Sequence, residues 1–369
     1  MKNRRKLFLS RNIYNLPPTD GIFVKAMRDN IAFHIANCPE YKEILDSFAF
    51  KISDLNDVGD LHKIPPLPTS YLKNVTMLSK PYDKLFIKTS SSGTSGNKTL
   101  SGYDKSSAIC ALSMALKVLS FHKLISFSRT NYLVLGARPD KTNQTATAKA
   151  LKYFTILAPA KKIEYAVKVI NGEYKIDVDA LIAAIVKFEQ EKKPVRIIGF
   201  PAYFKLFLLE LISKNIKLNL HKDSKILLGG GWKTFFAEEI SKDELFAMAN
   251  ETLGIGCENF KDHFSTAEHP VNYVACCNNH FHVPVFSRII IRDVKTLQPV
   301  ENGVPGLLNL ITPLLSSAPY GSIITDDIAV LRENCGCGAA SPYIDIVGRV
   351  GLSNIRTCTQ QASEFLKNL

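Results

Sequence analysis

Between residue 82 and about residue 267, short β-rich runs alternate with segments of helical periodicity. The β-rich runs predict strands at residues 85–88, 132–135, 165–169, 195–198 and 226–228. Between two of them, the apolar residues of 179–192 recur at a spacing that predicts an amphipathic helix. Strands that alternate with helices favour an α/β fold in which helices cover a sheet.

The pattern changes after Pro270. Short strands are predicted at 288–292 and 307–311, with turn-forming Asn302-Gly303 and Pro305-Gly306 between them. These patterns predict four segments, which are a mainly helical part packed on the core (1–81), an α/β core (82–270), a smaller β-rich subdomain (271–348) and a short tail (349–369).

Charge and composition narrow the class of protein. Lys and Arg number 46 against 34 Asp and Glu, which gives a net charge of +12 and favours anionic partners. No arginine-rich tract with interleaved aromatic residues occurs, so a nucleic-acid partner is not expected. The eight cysteines and an N-terminus without a secretory apolar segment favour a reduced, cytoplasmic protein. No apolar run approaches the roughly 18 residues of a transmembrane helix.

A hydroxyl- and glycine-rich stretch follows the first predicted strand and precedes a helix expected to be capped near Asp104. It contains Ser91, Ser92, Gly93, Thr94, Ser95, Gly96 and Lys98. Glycines let the backbone approach phosphate oxygens, and hydroxyls, amides and the lysine contribute hydrogen bonds and positive charge. The spacing matches neither the Walker motif nor the dinucleotide fingerprint. A flexible Ser/Gly linker is the alternative interpretation.

Four motifs follow this stretch in a characteristic order: Leu228-Gly-Gly-Gly-Trp-Lys233, Phe264-Ser-Thr-Ala-Glu268, Thr325-Asp-Asp327 and Gly348-Arg349. Together with the Ser/Gly stretch they resemble the adenylate-forming ligases, which are related to phenylacetate-CoA ligases. The Gly-Gly-Gly-Trp-Lys turn resembles the acyl-protein synthetase (LuxE-like) branch. The resemblance implies the N-terminal domain of that fold, stacked α/β subdomains plus a smaller β-rich subdomain, without the usual mobile C-terminal domain and its catalytic lysine.

The resemblance also implies a role for each motif. The Ser/Gly stretch and Lys98 would bind the ATP phosphates, and Glu268 would bind Mg²⁺. Phe264 would stack on adenine, Asp327 and Arg349 would bind the ribose, and Gly229, Gly230 and Gly231 would let adenine and the acyl chain approach the backbone. The alternatives are a core aromatic for Phe264, a surface glutamate at a helix start for Glu268, a turn cap for Asp327 and a surface ion pair for Arg349. Ser265, Ala267 and Asp326 depart from the family's motifs.

The implied reaction is MgATP-dependent activation of a carboxylic acid, expected to be a fatty acid, followed by capture of the acyl group as a thioester. Cys358 is the candidate acceptor in this branch, which passes its acyl group to a partner acyl reductase; an ordinary tail cysteine is the alternative. Two other functions stay open. One is a degenerate homologue that binds nucleotide or acyl groups without turnover, and the other is a zinc-stabilised interaction protein with an acidic partner.

Cysteines and histidines cluster in two short stretches, Cys276-Cys-Asn-Asn-His-Phe-His282 and Cys335-Gly-Cys337. Cys276 or Cys277, His282, Cys335 and Cys337 form a Cys₃His set of the kind that tetrahedral Zn²⁺ binds. Proteins like phenylacetate-CoA ligases carry a similar order of these residues. Buried reduced cysteines with solvated histidines are the alternative.

Overall fold

The computed structural model describes residues 2–90, 100–138, 146–170, 173–232 and 239–350. Contacts within the chain divide these residues into two compact units. The first contains the described parts of 2–118, 265–273 and 280–350, and the second contains those of 119–264 and 274–279. The four-segment division of the sequence stays a prediction.

Nine helices of the α type occur in the described ranges. They are α1 (Lys2–Phe8), α2 (Asp20–Asn37), α3 (Pro39–Ser47), α4 (Thr69–Leu72), α5 (Lys105–Phe121), α6 (Ala146–Phe154), α7 (Val178–Gln190), α8 (Pro201–Ser213) and α9 (Lys242–Leu253). No helix in this part of the chain combines the length and the apolar character that a bilayer crossing needs.

The strands of the described ranges form three sheets. They are β1 (Leu67–Pro68), β2 (Ile87–Ser90), β3 (Leu100–Tyr103), β4 (Thr130–Ala137), β5 (Ala160–Ile170), β6 (Glu173–Ile176), β7 (Val195–Gly199), β8 (Lys225–Gly229), β9 (Phe260–Phe264), β10 (Tyr273–Val274), β11 (Phe281–His282), β12 (Arg288–Arg292), β13 (Gly306–Ile311), β14 (Ser322–Arg332) and β15 (Tyr343–Arg349).

The second unit is built on a seven-stranded sheet of order β10-β9-β8-β7-β4-β5-β6. Strands β5, β4, β7, β8 and β9 pair in parallel, and β6 is antiparallel to β5. Every residue of β7 is buried, as expected for a parallel strand covered on both faces. Helix α7 begins where Asp177 accepts a hydrogen bond from the Ala180 amide, and its face with Leu181 and Ile185 is buried. The predicted helix at 179–192 is thus confirmed, as is the α/β class.

The first unit contains a six-stranded sheet in which β11, β15, β14, β13 and β12 are antiparallel neighbours. Strand β1 pairs in parallel with β14, with Leu67 opposite Ile323. The strands predicted at 288–292 and 307–311 appear as β12 and within β13. This sheet carries three of the candidate site residues, namely His282 in β11, Asp327 in β14 and Arg349 in β15.

The described residues that follow the Ser/Gly stretch differ in part from the prediction. Strands β2 and β3 pair antiparallel, with Ser90 opposite Leu100, so a strand separates the stretch from the helix. Helix α5 starts after Asp104 as predicted, because the Asp104 carboxylate accepts the Ser107 amide hydrogen bond at 2.9 Å. Strand β3 has only four residues, one of them Gly102, and pairing with β2 rather than a local pattern defines it.

Candidate functional site

Asp327 and Arg349 are register partners on the neighbouring strands β14 and β15. Arg349 Nε lies 3.7 Å from Asp327 Oδ1, and the Asp327 side chain is 18% exposed while that of Arg349 is 55% exposed. The Asp327 amide donates to Thr325 Oγ1 at 3.1 Å, which shapes the strand at this point. Burial raises the pKa of Asp327, and the charge of Arg349 opposes this shift. The structure therefore brings together the two residues expected to bind a ribose.

Glu268 lies in a short non-helical segment that precedes β10. The His269 amide donates to Thr266 Oγ1 at 2.9 Å, and the Thr266 amide donates to the His269 carbonyl at 3.3 Å, so Glu268 sits inside a closed turn. Its side chain is only 8% exposed. The alternative of a surface glutamate at a helix start is wrong on both counts.

The surroundings of Glu268 make its ionised form costly. Burial raises the pKa of Glu268, while its own backbone, Lys73 and Thr266 oppose that shift. The Tyr320 hydroxyl has no hydrogen-bond partner among the described residues, although Tyr320 is 1% exposed. Burial raises the pKa of Tyr320, and the charge of Glu268 adds to the effect. A buried carboxylate and an unsatisfied hydroxyl are typical of a site that a ligand or ion completes.

Lys73 is a further candidate site residue, and the sequence did not indicate it. It follows α4, which comes directly after β1, and β1 pairs in parallel with the part of β14 that leads to Asp327. The Lys73 charge acts on both Glu268 and Asp327. No motif surrounds Lys73, and only the pairing of β1 with β14 could have revealed its position.

The predicted glycine turn lies at the end of β8 in the second unit. A Cβ atom at Gly229 would lie 2.5 Å from the His263 carbonyl oxygen, and one at Gly230 would lie 2.7 Å from a Phe200 ring carbon. Packing within the protein therefore explains why both positions hold glycine, without a ligand. Gly231 has φ +66° and open space beside it, so its surface leaves room for a ligand. Phe264 ends β9 and is half-buried.

Several predicted residues lie outside the described residues. They are Ser91, Ser92, Gly93, Thr94, Ser95, Gly96, Lys98 and Cys358. Their roles stay predictions.

The Cys/His cluster forms as the sequence predicted. One ligand atom from each of Cys276, His282, Cys335 and Cys337 lies within 4.8 Å of the others. Four ligands about 2.0–2.3 Å from a tetrahedral Zn²⁺ are spaced by roughly 3.3–3.8 Å, so only a small contraction is needed. Cys276 is the member of the cysteine pair that joins the group, while Cys277 is exposed.

Hydrogen bonds orient the ligand atoms of this cluster. His282 Nδ1 lies 3.0 Å from the Ser341 carbonyl oxygen, so Nδ1 carries the proton and donates it. Nε2 is then a lone-pair atom, and it lies 3.1 Å from Cys337 Sγ. Metal-bound histidines show the same arrangement. His280, which the sequence did not single out, contacts Cys335 Sγ through Nδ1 at 3.2 Å and stacks on Tyr343.

Comparison with known proteins identifies the family. The profile of the family described as "Acyl-protein synthetase, LuxE" matches residues 14–367. The chain belongs to this family. It is 26% identical over 335 residues to the long-chain-fatty-acid–luciferin-component ligase of Vibrio harveyi, covering 90% of this chain and 85% of that protein. The corresponding ligase of Aliivibrio fischeri is 22% identical over 357 residues, covering 94% and 89%.

The solved structures agree with the family at the level of fold. An open conformation of 2-hydroxyisobutyryl-CoA ligase, in complex with 2-HIB-AMP and CoA, superimposes with a TM-score of 0.69 at 14% identity. The match covers 94% of this chain and 79% of that chain. The expected fold, that of the N-terminal domain of an adenylate-forming ligase, is therefore confirmed.

Proposed function

We propose that this protein activates a carboxylic acid, of the fatty-acid class, with MgATP and then holds the acyl group as a thioester. Membership of the acyl-protein synthetase family supports the reaction class. Two observations support the site assignment: the Glu268 carboxylate is buried, and the half-buried Asp327 lies 3.7 Å from Arg349 Nε on the neighbouring strand. Burial raises the pKa of both carboxyl groups. Lys73 acts on both of them.

Two steps describe the chemistry. A carboxylate oxygen of the acid attacks the α-phosphorus of ATP, a new P–O bond forms, and pyrophosphate leaves. A thiolate then attacks the acyl carbonyl, a C–S bond forms, and AMP leaves with the electrons of the broken C–O bond. The proposed acceptor is Cys358, and the proposed final destination is a partner acyl reductase.

The described residues contribute binding and electrostatics. Asp327 accepts hydrogen bonds from the ribose hydroxyls, and Arg349 holds Asp327 in position. Glu268 would hold Mg²⁺, which offsets phosphate charge when bound, and its carboxylate is the donor type that this ion prefers. Lys73 lies where a cation can contact a phosphate or the acid substrate. The Ser/Gly stretch and Lys98 would bind the phosphates.

ATP–pyrophosphate exchange tests the activation step. We expect exchange that depends on a carboxylic acid and rises with chain length over a graded series. A protein that binds ATP but supports no exchange with any acid would favour the degenerate homologue, and Ser265 and Ala267 would then be the residues to revert. A protein without ATP binding would contradict both.

The acyl acceptor has its own test. Incubation with MgATP and the preferred acid should give a protein adduct that neutral hydroxylamine removes, since thioesters react faster with it than oxygen esters do. Cys358→Ser should remove the labile adduct and leave exchange intact, because adenylation precedes thiol attack. Cys257→Ser is the matched control, since Cys257 is exposed. A labile adduct on the Cys358→Ser protein would assign the acceptor to another thiol.

We also propose that the Cys/His cluster binds one structural Zn²⁺ per chain. Three sulfur ligands and one nitrogen ligand fill a tetrahedral shell and leave no position for substrate, which is typical of structural zinc. The preset His282 tautomer supports this ligand set. Elemental analysis of protein purified without chelators tests the proposal, and an absence of zinc would contradict it.

A further inference from the structure

A strongly basic cavity lies in the first unit, and the proposed reaction uses none of its lining residues. Its volume is about 420 Å³, and it is lined by Lys2, Arg4, Arg5, Lys80, Asp104 and Ser106. Four of the lining side chains are cationic and one is acidic. Such an excess of one charge in a concave site attracts ligands of the opposite charge.

The one carboxylate of the cavity is already engaged. Asp104 forms a salt bridge with Lys80, and it accepts hydrogen bonds from the Ser107 amide and the Ser316 hydroxyl, both at 2.9 Å. Burial opposes its ionisation, but these hydrogen bonds outweigh burial and hold the pKa of Asp104 below its ordinary value. Asp104 is therefore the counter-charge of Lys80, and Lys2, Arg4 and Arg5 have no carboxylate in ion-pair contact among the described residues.

Arg4 is the buried cation of this cavity. Its side chain is fully buried, and its guanidinium donates to the Leu314 carbonyl at 3.0 Å, to Ser107 Oγ at 3.2 Å and to Ser106 Oγ at 2.7 Å. Its Nε has no hydrogen-bond partner in the described part of the chain. Burial lowers the pKa of Arg4, while the Cys110 thiol and the charge of Asp104 oppose this shift. A further anion beside the guanidinium would therefore stabilise its charged form.

The first turn of helix α5 forms part of the cavity wall. The helix has 17 residues and begins at Lys105, and the Asp104 carboxylate caps its N-terminus by accepting the Ser107 amide. Ser106 lines the cavity and offers a hydroxyl. The helix therefore contributes a hydrogen-bonding group, and the positive charge comes from the basic side chains.

We propose that this cavity binds the phosphate group of a small molecule, free or esterified. The cations come from α1 (Lys2, Arg4 and Arg5) and from Lys80, and Ser106 supplies a hydrogen bond. A concave site lined by four cations fits a compact dianion better than an extended acidic surface. The site is distinct in its residues from the one around Glu268 and Asp327.

Calorimetric titration of the whole chain with inorganic phosphate, pyrophosphate and glycerol phosphate tests the proposal. Magnesium-free buffer keeps metal-dependent binding near Glu268 out of the measurement. We expect one site per chain, and a dissociation constant raised at least tenfold in the Lys2→Ala/Arg5→Ala variant, because charge-assisted hydrogen bonds are lost. Both replaced side chains are exposed, so the fold should be retained.

Lys6→Ala is the matched control, because Lys6 is an exposed residue of the same helix and does not line the cavity. It should change the dissociation constant by less than twofold. The proposal is overturned if none of the three anions binds at millimolar concentration, if Lys6→Ala weakens binding as much as the double variant, or if Asp327→Ala abolishes binding. Preference for pyrophosphate or phosphate would indicate a free anion, and preference for glycerol phosphate an esterified ligand; both support the site.

Discussion

The two ends of the β14–β15 pair carry two chemically different clusters. At one end Asp327 lies opposite Arg349, and at the other Arg332 lies opposite Tyr343, next to the connection that holds Cys335 and Cys337. Five residues along a strand separate these ends by about 17 Å. The Cys/His end has its ligand atoms together and its histidine tautomer set by Ser341. We call the other end, with Asp327 and the nearby candidate Glu268, the carboxylate end. Burial raises the pKa of both carboxyl groups, and the Tyr320 hydroxyl has no hydrogen-bond partner among the described residues.

This difference predicts that the Cys/His end contributes mainly to stability and the carboxylate end mainly to activity. A cluster that is complete apart from one ion is expected to tie the strand connections together, so its loss should destabilise the fold. At Glu268 and Asp327, burial raises the pKa more than the nearby Lys73 and Arg349 lower it. Carboxyl groups perturbed in this way are typical of a functional site, where stability is lower than packing alone would allow. Variants at the carboxylate end should therefore lower activity, and variants at the Cys/His end should lower stability.

The largest expected effect is on catalysis at the carboxylate end. Glu268→Gln keeps the shape of the side chain and removes its charge, so Mg²⁺ should be held poorly. We expect ATP–pyrophosphate exchange to fall at least about 100-fold, which is the size of effect seen when one transition-state contact is removed. Glu301→Gln, at an exposed glutamate, is the control. Exchange within a fewfold of the unmodified protein would remove Glu268 from the site.

The next effect concerns stability at the Cys/His end. Cys335→Ser should lower zinc affinity at least about 100-fold and reduce the melting temperature by several degrees, because metal binding and folding are coupled. Cys277→Ser provides the control, since Cys277 is exposed and lies outside the cluster. Zinc content and thermal unfolding measure both variants. Equal behaviour of the two variants would contradict the assigned ligands.

Sequence reasoning succeeded where the information is local. The strand at 288–292 and the helix at 179–192 follow from periodicity, and both are observed. His282, Cys335 and Cys337 could be chosen from two short stretches rich in soft ligands, together with the order of these residues in similar proteins. The sequence left Cys276 and Cys277 as alternatives, and the structure shows that Cys276 joins the cluster. Asp327 and Arg349 were predicted by family resemblance, and their register pairing brings them together.

Sequence reasoning failed where position depends on distant pairing. The charge of Lys73 acts on Glu268 and Asp327, and the pairing of β1 with β14 explains its placement. Nothing near Lys73 in the sequence signals this placement. The four residues of β3 carry too little pattern to reveal a strand. Burial of Glu268 could not be predicted either, because the closed turn around it involves Thr266 and the backbone of His269.

A smaller effect is expected from substitution of Lys73. The variant tests whether Lys73 belongs to the carboxylate end. Lys73→Ala should raise the KM for ATP or for the acid about tenfold, the value of one hydrogen bond to a charged group, with little change in zinc content. Lys25→Ala, at an exposed position of α2, is the control. An unchanged KM for both substrates would show that Lys73 only screens the carboxylates.

The smallest expected effect is a pH-dependent gain in stability in Glu268→Gln, the variant that should lose the most activity. Because burial raises the pKa of Glu268 above its ordinary value of 4.5, the folded state binds a proton more tightly than the unfolded state does. Ionisation of Glu268 therefore opposes folding above the raised pKa, and this penalty disappears as the pH falls toward the ordinary value. Glu268→Gln removes the penalty, so the variant should melt at a higher temperature than the unmodified protein at pH 8, and the difference in melting temperature should close toward pH 4.5.

Thermal unfolding of both proteins across this pH range, with Glu301→Gln as the control, measures the difference. A variant that is less stable at pH 8 would mean that the hydrogen bonds to the carboxylate outweigh the cost of its burial, and the carboxylate end would then be a structural cluster like the Cys/His end.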